Sequence, residues 1–436
     1  MKQRLSTAGR TVIPGAAGAE PGRVSTVADV CLARQPIFDT TGAVIGYELL
    51  YRRAVTDTAP GGVDHRVMSA DVIVHACLNI GLQQLTSGRT VYLNFTRDML
   101  LSRAYTLLPP DAVVIELLET VEPDEDVELA CEDLVDSGYA LALDDFVWKP
   151  SYRRLLELAT IVKVDVLDRP ASELDQVAQQ LASYDVRLLA ERVETADVRA
   201  MCAGMGYELF QGYYFARPEM VKNRALMSDE LAIVQAMSVM RDARTTDPEV
   251  AAAFTSDIGL SYKLLRMVNS AAQGGRGIDS ILHALRLSGR KELGKWLALL
   301  LVSSIAARGA ANRELLHLAV QRGRMCELLG GSTGQERDTS ALFLVGLFSL
   351  LDAISGMPMA QLLEAITLAP PLEQALVGRT GPYAGTLTLA EAYEQGAWTT
   401  VQDHASSSGL NEAQVGAFYV QSLEWTRERL LSLALG

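Results

Sequence analysis

The sequence contains few cysteines and no long hydrophobic run. Its five cysteines lie far apart and form no Cys-x-x-Cys pair, which argues against a zinc ribbon or a redox motif. They are Cys31, Cys77, Cys131, Cys202 and Cys326. The most hydrophobic stretch, Trp296 to Ala307, falls short of the roughly 20 residues that cross a bilayer, and we predict that it is a buried helix. We therefore expect a protein of the reducing cytoplasm with no membrane partner.

The sequence also lacks an excess of positive charge. Its 39 Lys and Arg residues stand against 53 Asp and Glu residues, and the formal net charge is −14. Nucleic acid is not an expected partner, because a phosphate backbone requires a basic surface. A small anionic ligand is compatible with this charge if cations are concentrated in one site.

The length of 436 residues exceeds that of one ordinary core, so we expect two domains. Residues 1–28 are predicted to be a disordered leader, because Met1 to Arg23 hold basic residues and a Gly/Ala/Pro-rich run without the apolar core of a signal peptide. Residues 29–220 are predicted to form a barrel domain, and residues 221–436 an all-α domain.

In the first half, short apolar segments alternate with longer amphipathic ones. This alternation favours an α/β, TIM-like (β/α)₈ barrel over an open sheet. The first strand is expected to be antiparallel, because the turn Asp39-Thr40-Thr41-Gly42 joins it to the second as a hairpin. The eight predicted strands are Cys31–Phe38, Val44–Tyr51, Thr90–Phe95, Ala112–Leu118, Tyr139–Phe146, Ile161–Val166, Arg187–Val193 and Glu208–Phe215.

Polar side chains stand near the carboxyl ends of these strands. Each alone is most simply a surface or turn residue, but the carboxyl ends of barrel strands meet at one face, where active sites are built. All the candidate ligands are oxygen donors, which favours Mg²⁺, Mn²⁺ or Ca²⁺ over zinc. The residues are Glu48, Asn94, Glu116, Asp144, Asp145, Lys163, Asp165, Glu191, Glu194 and Gln211.

The segment from Leu141 to Phe146 is the most informative of these strand ends. An apolar run ends there in Asp144 and Asp145, two adjacent carboxylates that an apolar core would not accept unpaired. A solvated pair at a turn is the simple alternative. The functional alternative is a divalent cation that both acids bind together. Two metal ions with a lysine and a glutamate form an arrangement that cleaves phosphodiesters.

Eight ordered motifs between residues 29 and 220 resemble those of the EAL domain. That family consists of cyclic di-GMP phosphodiesterases and of relatives that only bind the dinucleotide. The motifs are Gln35-Pro36-Ile37, Gly46-Tyr47-Glu48-Leu49-Leu50-Tyr51-Arg52, Leu93-Asn94-Phe95-Thr96, Glu116-Leu117-Leu118-Glu119, Leu143-Asp144-Asp145-Phe146, Lys163-Val164-Asp165, Ala190-Glu191-Arg192-Val193-Glu194 and Phe210-Gln211-Gly212-Tyr213-Tyr214-Phe215.

The resemblance implies a role for each of these residues. The expected metal ions are Mg²⁺ or Mn²⁺, with Ca²⁺ as an inhibitory substitute. Lys163 would orient the attacking water, Glu191 would be a general base or ligand, and Glu48 would serve both catalysis and metal binding. The implied metal ligands are Glu48, Asn94, Glu116 and Asp144, with Asp145 for a second ion. The implied substrate-binding and supporting residues are Gln35, Arg52, Asp165, Glu194 and Gln211.

The loop after Asp145 departs from the family pattern. Active members carry a Gly-Thr-Gly-like loop there, whereas this chain has Val147-Trp148-Lys149-Pro150, and a β-branched residue does not easily adopt positive φ. The signature itself reads Glu48-Leu49-Leu50, without the longer insert that follows it in the family. We therefore expect slow or conditional hydrolysis of cyclic di-GMP to pGpG. The alternatives are an inactive cyclic di-GMP receptor and a protein-interaction scaffold.

From Ser228 onward the apolar spacing is helical, which predicts an α-bundle. The stretches Leu264–Ala272, Ile278–Ile281 and Ala284–Gly289 resemble the HDOD domain, a relative of HD phosphohydrolases that lacks the His-Asp ligands. Phe348 and Ser349 stand where a catalytic relative would carry a histidine. The resemblance implies a regulatory or interaction module that binds a protein partner, in an order known from bacterial signalling proteins, and it leaves a homodimer open.

Overall fold

The computed structural model describes residues 30–53, 82–86, 88–212, 226–255, 258–271, 278, 280–307, 312–335, 338–366 and 368–434. The predicted leader at residues 1–28 and the predicted domain boundary at residues 220 and 221 lie outside these ranges. Within them, no helix has both the length and the apolar character to traverse a bilayer.

Eight strands close into a barrel, with neighbours in chain order. β1 is antiparallel to both β2 and β8, and every other neighbouring pair is parallel. The predicted TIM-like barrel and its antiparallel first strand are therefore confirmed. The strands are β1 Val30–Asp39, β2 Val44–Arg53, β3 Thr90–Phe95, β4 Val113–Leu117, β5 Ala140–Leu143, β6 Ile161–Asp165, β7 Arg187–Glu191 and β8 Tyr207–Phe210.

The hairpin between β1 and β2 forms as its sequence predicts. Asp39 Oδ1 accepts hydrogen bonds from the backbone N–H groups of Thr41 (2.8 Å) and Ala43 (2.9 Å). Gly42 takes the left-handed conformation, with φ at 82°. A short polar side chain that bonds its own backbone, followed by a glycine, is a common turn chemistry.

The barrel interior is filled by apolar side chains, one from each strand except β2, as in other barrels of this architecture. The cluster is Ile37, Tyr92, Val114, Ala142, Ile161, Leu189 and Leu209. Helices cover the outside of the barrel. They are α1 Leu82–Thr86, α2 Arg97–Leu101, α3 Glu125–Asp136, α4 Arg153–Leu158, α5 Ala171–Leu181 and α6 Ala196–Gly204, with short 3₁₀ turns at Ala104–Leu107 and Pro150–Tyr152.

The second half is helical throughout its described part. The predicted buried helix around Trp296 is confirmed, since Trp296 and the residues from Leu297 to Val302 are buried in α10. The helices are α7 Ser228–Arg241, α8 Asp247–Thr255, α9 Ile258–Ala271, α10 Ile281–Ala306, α11 Asn312–Ser332, α12 Thr339–Phe348, α13 Leu351–Ser355, α14 Met359–Ile366, α15 Pro370–Val377, α16 Ala384–Glu394, α17 Trp398–Ser407 and α18 Glu412–Ala434.

The helical half packs directly against β1. Among the described residues, this strand pairs with β8 at Phe38 and Asp39, and no other described strand pairs with the rest of that edge. The backbone N–H of Leu32 donates to Tyr393 Oη of α16 at 3.1 Å, and the N–H of Arg34 donates to Tyr419 Oη of α18 at 3.2 Å. Two tyrosine hydroxyls of the helical half therefore occupy hydrogen-bonding positions at the edge of the barrel.

Candidate active site

Four carboxylates converge on the ammonium of Lys163, which lies on β6. Lys163 Nζ is 2.8 Å from Asp144 Oδ1 and 2.9 Å from Glu191 Oε1. It is 3.0 Å from Glu116 Oε1 and 3.2 Å from Glu48 Oε2. The acids come from β2, β4, β7 and the residue that follows β5, so the ends of separate strands build one centre, as expected from the sequence.

The charges in this centre do not balance, because four carboxylates share one lysine. The side chains of Lys163 and Glu116 are fully buried, and burial in a low dielectric disfavours a charged carboxylate. Burial therefore raises the pKa of Glu116 well above its usual range, raises the pKa of Asp144, and raises the pKa of Glu191 to about 8. Despite its own burial, Lys163 has a pKa raised well above normal by the surrounding acids.

Glu48 is the best satisfied of the four acids. Asn94 Nδ2 donates to Glu48 Oε1 at 2.8 Å, and Gln211 Nε2 donates to Glu48 Oε2 at 2.7 Å. Burial alone would raise the pKa of Glu48, but Lys163 and the two amide donors lower it. Gln211 Nε2 also lies 2.8 Å from Gln35 Oε1, so the predicted residues of β1, β2 and β3 and the residue that follows β8 form one connected network.

Asp144 and Asp145 are placed differently. Asp144 contacts Lys163, whereas Asp145 is exposed and takes a positive φ of 41°. Partial shielding of the Asp145 carboxyl from water is the first cause that raises its pKa, and the neighbouring Asp144 and Asp165 add to it. The strand predicted at Tyr139–Phe146 is shorter in the structure, where β5 ends at Leu143. The left-handed conformation of Asp145 cannot continue a strand.

The loop from Val147 to Pro150 contains no residue with positive φ, since the left-handed position falls on Asp145 instead. Trp148 fixes this loop by packing against Phe146 and Tyr184, with ring centroids 6.5 and 6.4 Å apart. The backbone strain expected at Val147 is therefore absent, and Trp148 packs the loop against neighbouring aromatic rings.

Asp165, Glu194 and Arg52 are three further residues that the sequence predicts for this site. Asp165 Oδ2 accepts from Arg192 Nη1 at 2.7 Å, and Asp165 Oδ1 accepts from the N–H of Leu167 at 2.9 Å. Glu194 is half-buried beyond the end of β7. Arg52 is part of β2, but its side chain lies outside the described residues.

Three residues of the site were not singled out from the sequence. Arg192 pairs with Asp165, and the hydroxyl of Tyr51 donates to the backbone carbonyl of Asn94. At Gly212, a Cβ would meet the backbone of Val193 at 2.3 Å, so only glycine fits where β8 ends. All three residues lie within the sequence motifs given above, and that location is the only sign in the sequence that they belong to the site.

The oxygen donors fit a hard divalent cation. Asn94 Oδ1 and both oxygens of Glu116 are buried and accept no hydrogen bond, although Glu116 Oε1 is at ion-pair distance from Lys163. Such atoms, together with the excess of negative charge, favour binding of an additional cation. Among the described residues, no three acidic, cysteine or histidine side chains are already arranged as a metal site. Lys163 lies at the point where the carboxylates converge.

The fold and this centre define a barrel protein with a buried Lys-carboxylate cluster at its strand ends, joined to a helical domain. Residues 65–218 match the EAL domain and residues 228–366 match the HDOD domain. The cyclic di-GMP phosphodiesterase CdgJ of Vibrio cholerae is 32% identical over 403 residues, which are 91% of this chain and 92% of that protein. The chain therefore belongs to the family of proteins in which an EAL domain is followed by an HDOD domain.

Two further proteins are similar to this chain. The uncharacterized protein YuxH of Bacillus subtilis is 29% identical over 403 residues, covering 91% of this chain and 98% of that protein. The Bacillus subtilis YkuI protein with an EAL domain, solved in complex with cyclic di-GMP and calcium, is 16% identical, with 54% of this chain and 73% of that chain covered and a TM-score of 0.36.

In the HDOD domain, Ser349 contacts a buried arginine. Arg322 Nη1 lies 2.8 Å from Ser349 Oγ, and its guanidinium also pairs with Glu394 (2.7 Å) and Glu391 (3.0 Å). A charge network therefore surrounds the position where a catalytic relative is expected to carry a histidine. His283, His317 and His404 lie on three separate helices, namely α10, α11 and α17.

Proposed function

We propose that the barrel binds cyclic di-GMP and hydrolyses it to pGpG with the help of divalent metal ions. The observation that supports this most directly is the convergence of Glu48, Glu116, Asp144 and Glu191 on the buried Lys163. In this reaction the oxygen of water bonds to one phosphorus, the bond from that phosphorus to a 3′ oxygen breaks, and the leaving oxygen takes up a proton. The similarity to a protein named as a cyclic di-GMP phosphodiesterase supports the same substrate.

In this proposal, one group of residues binds the metal ions and another group transfers protons and positions the nucleotide. Glu48, Asn94, Glu116 and Asp144, with Asp145, are the proposed ligands of Mg²⁺ or Mn²⁺. When bound, such ions offset phosphate charge and acidify a coordinated water.

Glu191, whose pKa burial raises to about 8, is positioned to exchange a proton near neutral pH. Lys163 holds the four carboxylates together and orients the water. Gln35, Arg52, Asp165, Glu194 and Gln211 are the proposed contacts and supports for the nucleotide.

A receptor without turnover is the second candidate. It is favoured by the Val147 to Pro150 loop, which is ordered by Trp148 rather than by glycines, and by Lys163, which engages all four acids. In this version the barrel binds the nucleotide and passes its occupancy to the helical domain. The same contacts are compatible with slow or conditional hydrolysis, so turnover must be measured directly.

The test is product formation from cyclic di-GMP with Mg²⁺, Mn²⁺, Ca²⁺ or chelator, together with calorimetric binding of the nucleotide. We expect pGpG with Mg²⁺ or Mn²⁺ and no product with Ca²⁺. Glu48→Gln should abolish turnover, whereas Glu208→Gln, the same change at an exposed glutamate of β8 paired with Arg187, should not. Binding without product would support the receptor, and absence of both would refute the proposal.

We further propose that residues 29–220 and 221–436 act as two domains of a cytoplasmic signalling protein. The HDOD domain would bind a protein partner, and a homodimer would be compatible with this function. Cross-linking and light scattering with and without cyclic di-GMP test the assembly. A monomer under both conditions would exclude the dimer without affecting the proposed chemistry.

A further inference from the structure

The contact between the two domains lies directly beside the proposed active site. β1 carries Gln35, whose backbone pairs with that of Glu48 on β2. Within the described ranges, the edge of β1 opposite to β2 is bonded to β8 at Phe38 and Asp39 alone. The geometry of these two active-site residues therefore depends on what holds the remaining edge of β1.

The helical domain satisfies the open edge of β1. Alternate N–H groups along a strand point to the same side, and the relevant series is Leu32, Arg34 and Pro36. Leu32 donates to Tyr393 Oη at 3.1 Å and Arg34 donates to Tyr419 Oη at 3.2 Å, whereas Pro36 has no N–H to donate. Both N–H groups in this part of the edge are therefore bonded to hydroxyls of the helical domain.

The two tyrosines are rigidly held and buried. Tyr393 and Tyr419 are 0% and 1% exposed, and their ring centroids lie 4.9 Å apart. Gly416 leaves room for the Tyr393 hydroxyl against α18, because a Cβ at that position would lie 3.0 Å from Tyr393 Oη. Since both rings pack in the helical core, a movement of α16 or α18 would displace the hydroxyls from β1.

A second connection runs through side chains into the acid centre. Gln35 Nε2 donates to the backbone carbonyl of Gln395, at the end of α16, at 3.3 Å. Gln211 Nε2 then donates to Gln35 Oε1 at 2.8 Å and to Glu48 Oε2 at 2.7 Å. Gln35 and Gln211 thus link a carbonyl of the helical domain to a proposed metal ligand.

We propose that Tyr393, Tyr419 and the Gln395 carbonyl are positioning groups for the barrel site, supplied by the helical domain. The hydroxyls fix the backbone of β1, and the carbonyl fixes the amide of Gln35, so that Gln211 and Glu48 keep their orientation. This inference rests on the proposed function of the barrel. A change in the helical domain that moves the turn after α16 alters nucleotide affinity or turnover through these contacts.

The experiment uses the full chain with both hydroxyls removed, Tyr393→Phe with Tyr419→Phe, and the two single variants. The control is Tyr383→Phe, a buried tyrosine of the same domain whose hydroxyl bonds Asp338 rather than the barrel. We expect the double variant to lose about tenfold or more in kcat/KM or in nucleotide affinity, the scale of one to two hydrogen bonds. The control should melt earlier but keep wild-type kinetics. If the double variant does not fold, the single variants carry the test.

Two readouts separate positioning from general destabilisation. Gln35→Met breaks the side-chain link, and its effect should be less than additive with that of the double variant, because both changes act on the same groups. Binding of cyclic di-GMP with Ca²⁺ should also slow amide exchange in residues 393–398, because coupling between two sites is reciprocal.

Wild-type kinetics in the folded double variant, or exchange that does not respond to nucleotide, would overturn this inference while leaving the proposed function intact. Failure of the wild-type protein to bind nucleotide would overturn both.

Discussion

The protonation of Glu191 gives a quantitative test of the charge imbalance at the centre. Burial raises the pKa of this carboxyl from 4.5 to about 8. Between these values the native protein holds a proton that the unfolded chain has released, so the free energy of unfolding falls as pH rises, by about 1.4 kcal/mol for each pH unit. From about pH 5.5 to about pH 7.5, Glu191 alone should lower the free energy of unfolding by about 3 kcal/mol.

The substitution Glu191→Gln removes the titrating group and keeps its shape. The variant loses the 2.9 Å contact between Glu191 and Lys163 as an ion pair, which shifts its stability at every pH, but its free energy of unfolding should fall less steeply than that of the wild type.

Urea unfolding at stepwise pH in the presence of a chelator measures the difference between the two slopes. Glu364→Gln, at an exposed glutamate of α14, is the control and should follow the wild type. If the curves of Glu191→Gln and the wild type stay parallel over this range, Glu191 does not carry the extra proton and the charge account is wrong.

Two further substitutions test contacts outside the acid cluster. Gly212→Ala would place a Cβ at 2.3 Å from the backbone of Val193. The variant should lose about 1–3 kcal/mol in unfolding free energy and should bind the nucleotide more weakly in calorimetry. An unchanged melting temperature would contradict the close approach. Arg322→Met leaves the buried Glu394 and the half-buried Glu391 without their shared cation and should cost about 3–5 kcal/mol in unfolding free energy. Arg379→Met, at the exposed partner of Glu391, should cost under about 1 kcal/mol in urea unfolding.

The barrel could be predicted because its strands carry their own signals. β4 and β6 are apolar runs that end in polar residues, and the parallel register then brings Glu116 beside Asn94 and Asp165 beside Glu191. A polar residue at the end of a buried strand needs no tertiary information to be noticed. The convergence of these residues follows from barrel closure, which the alternation of strands and helices predicts.

Other features depend on packing that the sequence does not encode locally. Nothing in the sequence around Lys163 distinguishes a residue that orients water from one that contacts four acids, because those acids come from distant segments. The chain on either side of Gly289 forms one helix, α10, with a break in its backbone where φ is 78°. The apolar segment from Thr339 to Ser355 forms two helices, α12 and α13, which are separated by Ser349 and Leu350. Buried apolar sequences can continue or stop at such points without a local signal.

The position of β1 also bears on how the two domains depend on each other. In the described part of the chain, the barrel is closed between β1 and β8 by only two residue pairs, and an uncovered strand edge with free N–H groups is unfavourable in water and prone to pairing with other chains. The hydroxyls of Tyr393 and Tyr419 satisfy that edge from the helical domain. Because the same strand supplies Gln35 to the acid centre, the contact that stabilises the seam of the barrel also orients its chemistry. The helical half therefore contributes to the geometry around Gln35 and Glu48, while its own core carries the buried network of Arg322.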